Sequence, residues 1–240
     1  MAGKGSRFAN AGYEMPKPLI QIHGQPMIRY VINNLRPSQP YRFIFLCLQE
    51  HIDKYEVDKL LKTWEPSCKI VIVDQITEGA ACTVLLAKNI INNDEGLMIA
   101  NSDQWVDIDI NAYLNTIHLH QLDGLIMTMW ADDPKWSFIR FNEMGRITKV
   151  VEKQVISNEA TVGIYNFARG EDFVSAAEKM IAKELRVNGE YYVAPAYNEL
   201  IEGGQAFRYF NIGKVGNGMY GLGVPKDLED FRVNPISIQF

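Results

Sequence analysis

The stretch AGKGSRFANAGYEMPKPLI, residues 2–20, decides how the rest of the chain is read. Gly3 and Gly5 allow a sharp backbone turn whose successive N–H groups can face an anion with no Cβ in the way. Lys4 and Arg7 add cationic donors beside them, and Lys17, held between Pro16 and Pro18, returns another cation on a stiff segment. A bare GxG is most often a solvated turn. GxGxRF followed by PKPL instead gathers three cations and two glycines within about sixteen residues, which suits a highly charged phosphate ligand. The pattern lacks the GK[ST] of a Walker loop, and Phe8 stands where a GxGxxG dinucleotide fingerprint needs its third glycine.

A loop of this kind follows a strand, yet only Met1 precedes it. The expectation is five or six further apolar residues upstream, or numbering that starts at an internal Met. Downstream, the apolar runs YRFIFLCL (41–48), KIVIVDQ (69–75), GLMIANSD (96–103) and GLIMTMW (124–130) suit strands buried on both faces. Amphipathic helical patterns at about 26–35, 51–63, 79–91 and 109–120 lie between them, and this alternation argues for a parallel sheet covered by helices. Residues 137–143 and 146–152 read as a hairpin about Met144-Gly145, followed by a strand at 160–167 and helices at about 171–183 and 193–202. With no repeat or linker, a mixed sheet continuing through one domain is the simplest layout.

The chain has 240 residues, 47% of them hydrophobic, enough for one compact α/β domain. A net charge of -5 leaves no overall cationic field for a nucleic-acid backbone, so nucleic acid is not an expected partner. Cys47, Cys68 and Cys82 lack CxxC spacing and read as reduced core thiols, which favours the cytoplasm. No apolar run reaches the roughly 18 residues of a membrane span, and no signal segment opens the chain.

On the GxGxRF and PKPL residues the chain resembles the sugar-1-phosphate nucleotidyltransferases, also called nucleoside-diphosphate-sugar pyrophosphorylases, and their cytidylyltransferase relatives. The resemblance recurs along nearly the whole length. It implies a Rossmann-like, three-layer α/β fold of the GT-A-like kind with a mainly parallel mixed central sheet. It also implies one domain over 1–240, with a nucleotide-binding half to about 130 and an acceptor-binding half from about 131. DQITEGAACTVLLAK (74–88) matches the family's base-recognising segment, with Gln75 toward the base edge and Gly79 and Ala80 in a tight turn. Thr77 capping a helix that starts at Gly79 is a compatible reading. Cys82 departs from the small Gly or Ala usual there and leaves the base open. The nucleotide set implied is Ala2, Gly3, Gly5, Ser6, Gln75, Gly79, Ala80 and Ser102, with Arg7 and Lys17 catalytic.

The resemblance gives Asp103, at the end of a buried strand, the Mg²⁺ that bridges the triphosphate. Open α/β sheets bind ligands at such strand ends, and one or two carboxylates suffice for Mg²⁺ when phosphates supply the rest. Asp107 and Asp109 fit the cap and first turn of the next helix better. Relatives carry a second metal carboxylate in a WxDxGT stretch, whereas YGLGVPKDLEDF (220–231) has Leu222 there; Glu190 in NGEYYVAP is the substitute candidate. VVEKQ (150–154) matches the family's EK motif, which puts Glu152 and Lys153 toward the acceptor, and Gly163 matches the glycine strand that follows. Lys153 is the third catalytic candidate. Trp105, Trp130 and Trp136 could line a pocket or simply pack. His118 and His120, two apart on a helix, do not share a face.

A phosphate monoester has a second pKa near 6, so such an acceptor is already mostly a dianionic nucleophile at neutral pH and needs no general base. The stretches MTMWADDPKWSF and VNGEYYVAPAYNEL look nearest to the phosphoglutamine cytidylyltransferases of bacterial capsular phosphoramidate biosynthesis. That implies CTP and L-glutamine phosphate as substrates and CDP-L-glutamine as product. A sugar-1-phosphate or phosphocholine acceptor stays open. So does another class, a non-catalytic nucleotide-binding module or a glycosyltransferase, although neither needs the intact Arg7 and Lys17. Relatives often form homo-oligomers, which extends to this chain by analogy alone.

Overall fold

The computed structural model describes residues 1–3 and 5–238. In chain order the first half holds α1 (Ser6–Asn10), β1 (Gln21–Ile22), β2 (Gln25–Pro26), α2 (Met27–Leu35), β3 (Ile44–Leu48), α3 (Gln49–Tyr55), α4 (Val57–Trp64), β4 (Lys69–Val73), α5 (Ala80–Leu85), α6 (Lys88–Ile91), β5 (Leu97–Ala100), β6 (Gln104–Val106), α7 (Ile110–Leu119) and β7 (Gly124–Trp130). The second half holds β8 (Ser137–Phe141), β9 (Ile147–Glu152), β10 (Glu159–Phe167), α8 (Gly170–Ala182), α9 (Tyr197–Glu202), β11 (Phe207–Val215), β12 (Gly218–Gly221) and α10 (Pro225–Val233).

The main sheet runs β6-β12-β11-β7-β10-β8-β9, with β5 paired to the far half of β10. It is mixed: β7 and β11 are parallel, while β10 is antiparallel to β5, β7 and β8. Alternation along the strands fills two cores. Leu125, Met127 and Met129 of β7 enter one with α2, α4, α7 and α10, and Ile126 enters the other with α5, α6, α8 and α9. Helices thus cover both faces, the expected three-layer α/β arrangement.

Several expectations differ from the structure. The main sheet has more antiparallel than parallel pairs, so it is mixed but not mainly parallel, and the helix at 79–91 is broken into α5 and α6. The helix at 51–63 is broken into α3 and α4 at Glu56, whose φ of 49° is left-handed and ends the first helix. The single continuous sheet is interrupted: β3 and β4 pair with each other and, among the described residues, with nothing in the main sheet. Between β3 and β5 lies a cleft of about 1120 Å³. Cys47 and Cys68 are buried and Cys82 is half-buried, all free thiols; burial pushes the Cys47 pKa up to about 11.

Candidate functional site

The glycine loop is held from below by Phe8, 1% exposed and edge-on to Tyr13, so the neighbouring Ser6 and Arg7 point to solvent. Gly5 takes φ +60°, and a Cβ there would meet Lys17 Cβ at 3.4 Å, so the loop and the PKPL segment touch. Gly3 is exposed and Ala2 half-buried beside it, while Lys4 lies outside the described residues. Pro16 and the 3₁₀ turn at Lys17–Leu19 aim Lys17 across the chain. Its Nζ donates to Asp103 Oδ2 at 2.7 Å, each side chain 23% exposed. The structure therefore brings the loop and the strand-tip carboxylate together.

Asp103 sits in the loop from β5 to β6, and two neighbours fix that loop. The Asn101 N–H donates to the Gly163 carbonyl at 3.0 Å, and the Leu222 N–H donates to the Asp103 carbonyl at 2.8 Å. A Cβ on Gly223 would lie 2.8 Å from Asp103 Oδ2, so a side chain there would displace the carboxylate. Leu222 itself is wholly buried in the core, and the 220–223 stretch flanks Asp103 without adding a second carboxylate. Ser102 adjoins it, half-buried. Asp109 caps α7, its side chain accepting from the Asn111 N–H, which is the role its spacing suggested.

No group of three or more His, Cys, Asp or Glu that could hold a metal occurs among the described residues. One carboxylate already bound to an ammonium, with a glycine opposite, fits Mg²⁺ only as an ion whose remaining positions are filled by phosphate and water.

Gly163 packs against the loop that carries Asp103. Its φ is +81°, and a Cβ would lie 2.2 Å from Asn101 Nδ2 and 2.6 Å from Gln104 Oε1. What it admits is the Asp103 loop, packed against β10 from behind.

On the acceptor side, Glu152 is 8% exposed and accepts from the Ser137 hydroxyl; burial pushes its carboxyl above the ordinary glutamate range. Lys153, in a left-handed conformation with φ 55°, turns its side chain the other way. Its Nζ donates to the Tyr192 hydroxyl at 2.5 Å and lies 4.7 Å from the ring centroid. That hydrogen bond is the main cause of a raised Lys153 pKa, and the charge of Glu190 adds to it. Glu190 thus groups with Lys153 and Tyr192, while Asp103 is paired with Lys17.

The 74–88 stretch and the 187–200 stretch are joined. Gly79, φ +134°, packs against the Tyr191 backbone, where a Cβ would meet the carbonyl at 2.4 Å. The Tyr191 N–H donates to the Glu78 carbonyl at 2.8 Å, and the Ala81 N–H donates to the Tyr191 carbonyl at 3.0 Å. Gln75 and Ala80 are exposed beside this joint. Thr77 does not cap α5: its hydroxyl donates to the Gly79 carbonyl, and Gly79 is itself the cap position. Of the tryptophans, Trp105 is core, against Tyr220 and Phe231, and Trp130 is exposed. Sequence reasoning missed Tyr192, Asn101 and Gly223, although each lay in a stretch already singled out: NGEYYVAP, GLMIANSD and YGLGVPKDLEDF.

A family model described as "Nucleotidyl transferase" matches residues 1–202. The chain is 27% identical over 206 residues to the bifunctional protein GlmU of Methanococcus aeolicus, covering 78% of the chain and 47% of that protein. It is 22% identical over 201 residues to the mannose-1-phosphate guanylyltransferase catalytic subunit beta of Drosophila pseudoobscura pseudoobscura, covering 82% and 53%. The chain spans about half the length of these curated relatives. Among solved structures it is similar to a nucleoside-diphosphate-sugar pyrophosphorylase from Vibrio cholerae RC9, with TM-score 0.83, 27% identity and 98% of each chain covered. It also shares its fold with an inositol-1-phosphate CTP transferase from T. maritima, with TM-score 0.72, 17% identity and 94% and 88% covered.

Proposed function

Because the chain belongs to the nucleotidyl transferase family, we propose that it transfers a nucleoside monophosphate from a nucleoside triphosphate to a small phosphorylated acceptor, releasing pyrophosphate. The observation that carries this is the 2.7 Å contact between Lys17 and Asp103, which joins the phosphate loop to the carboxylate that would hold a magnesium ion.

An acceptor phosphate oxygen attacks the α-phosphorus in line; the new P–O bond forms as the bond to the β-phosphate oxygen breaks, and pyrophosphate leaves with that electron pair. The acceptor is already anionic, so the protein's task is placement and charge. Loop N–H groups at Gly3 and Gly5, with Arg7 and Lys17, neutralise the triphosphate and its leaving group. Lys153, steered by Tyr192, holds the attacking phosphate, and Glu152 and Glu190 face the rest of the acceptor. A magnesium ion on Asp103 would supply further neutralisation of the phosphate oxygens.

For substrates we propose CTP and L-glutamine phosphate, giving CDP-L-glutamine for capsule precursor synthesis. The support is the likeness of MTMWADDPKWSF (127–138) and VNGEYYVAPAYNEL (187–200) to cytidylyltransferases of that pathway. Pyrophosphate release measured over a panel of triphosphates and acceptors, among them glutamine phosphate, sugar 1-phosphates and phosphocholine, tests both levels. Release with a sugar 1-phosphate alone would move the acceptor assignment, and nucleotide binding with no release for any pair would leave a binding module.

A further inference from the structure

Around Tyr192 the chain gathers two carboxylates and one ammonium: Glu152 and Glu190 both act on Lys153. That ammonium is already bonded to the Tyr192 hydroxyl. Nearby Lys135 and Arg186 are each paired with an acid of their own, Asp133 and Glu78. A phosphorylated acceptor brings about two further negative charges at neutral pH. An acceptor that is only anionic is therefore repelled here, and one that carries its own cation is not.

Glu152 gives this imbalance a direction. It is more than nine-tenths buried, and the hydroxyl of Ser137, its cross-strand neighbour, bonds one of its oxygens, Oε2. Ser137 is backed by Tyr165, whose hydroxyl shares a 2.9 Å hydrogen bond with that of Thr161. These buried hydroxyls fix the carboxylate from behind and carry no charge. Oε1 has no hydrogen-bond partner, and Glu152 makes no ion pair, among the described residues. Thr161 and Tyr165 flank Gly163, so this network adjoins the loop that carries Asp103. A buried carboxylate is costly unless a cation meets it with a hydrogen bond. Lys153, the cation next in sequence, is turned away to Tyr192.

We propose that Glu152 selects acceptors that carry a primary ammonium, so that the substrate class is a small phosphorylated zwitterion whose ammonium donates to Glu152 Oε1 while Lys153 holds its phosphate. This rests on the transfer reaction proposed above and narrows its acceptor; L-glutamine phosphate belongs to the class through its α-ammonium. A sugar hydroxyl would occupy the oxygen and leave its charge uncompensated. A quaternary ammonium would supply the charge but has no N–H to donate, and the Tyr192 ring that could receive it is taken by Lys153. Glu190 is exposed, so its attraction is screened and adds less.

Alkyl phosphates of increasing length, in matched sets that differ only in a terminal ammonium, hydroxyl or trimethylammonium, test this. Their binding to the 240-residue protein is measured by calorimetry with magnesium and a non-hydrolysable analogue of each common triphosphate in turn. The best ammonium member should bind at least about a hundredfold more tightly than its hydroxyl twin. Glu152→Gln should bring that ratio to within about threefold, whereas Glu190→Gln should lower it by less than about tenfold. The proposal is overturned by twins that bind equally or not at all, by a preference that survives Glu152→Gln, or by a sugar 1-phosphate that binds more tightly than every ammonium member. Pyrophosphate release with the natural triphosphates is followed separately. An ammonium preference without release from any pair would remove the transfer reaction and leave the role of Glu152 standing.

Discussion

A Cβ on Gly163 would lie 2.2 Å from Asn101 Nδ2, so the strand behind the site and the loop that carries Asp103 meet at a left-handed position where a side chain would displace Asn101. Gly163→Ala should therefore act on both fold and site. Its left-handed backbone and the overpacking together should cost about 2–4 kcal/mol. Displacement of the Asp103 loop should lower kcat by at least about tenfold in protein that remains folded. Urea denaturation and single-turnover pyrophosphate release measure the two effects, and a variant with native stability and rate would remove Gly163 from the site.

Lys17→Met should separate chemistry from stability. The pair it makes with Asp103 is about a quarter exposed, so its loss should change stability by less than about 1 kcal/mol. Loss of a charge aimed at the leaving group should lower kcat by about 10²–10³. Steady-state rates beside a thermal unfolding curve check this, and an undiminished kcat rules Lys17 out of the reaction.

Tyr192→Phe should loosen Lys153 without touching the nucleotide. A charge-assisted hydrogen bond of this kind contributes about 1.5–3 kcal/mol, so kcat/KM for the acceptor should fall roughly ten- to a hundredfold while KM for the triphosphate stays put. The hydrogen bond raises the folded pKa of Lys153. Its stabilisation is complete below the unfolded lysine value near 10.4 and fades only as pH climbs through the folded value. The stability difference between the parent and Tyr192→Phe should therefore stay constant between pH 6 and about 9, and a loss of it in that range would contradict the assignment.

Glu152 has the opposite sign from a salt-bridged carboxylate. Burial raises its folded pKa, so the folded protein takes up the proton first. Stability should rise as pH falls from neutral toward the unfolded glutamate value near 4.3, and level off below it. Glu152→Gln should be at least as stable as the parent at pH 7, and it should lose that part of the pH dependence. Urea midpoints of the two proteins at several pH values give the difference directly.

Much of the architecture could be read from local pattern because buried parallel strands and amphipathic helices leave strong periodicities. The runs at 41–48, 69–75 and 124–130 each contain the observed strand. β11 escaped notice because Arg208, Asn211, Gly213 and Lys214 interrupt its apolar alternation, although Phe207 enters one core and Ile212 the other. Among site residues, the cations and Asp103 were legible because charge in a glycine loop or at a strand tip is rare without cause. Tyr192, Asn101 and Gly223 were not, since their importance arises from contacts made by segments about 40 to 120 residues apart.

Leu222 is turned wholly into the core, so the ground beneath a bound triphosphate carries one formal negative charge, Asp103, already cancelled by Lys17. With Arg7 beside that pair, the proposed pocket is cationic at rest, which gives it little hold on a lone dication and attracts a polyanionic nucleotide. Metal is therefore expected to arrive as the nucleotide's passenger, with occupancy following the concentration of the metal–nucleotide complex, and to depart with pyrophosphate, leaving the ammonium to close over the carboxylate between turnovers.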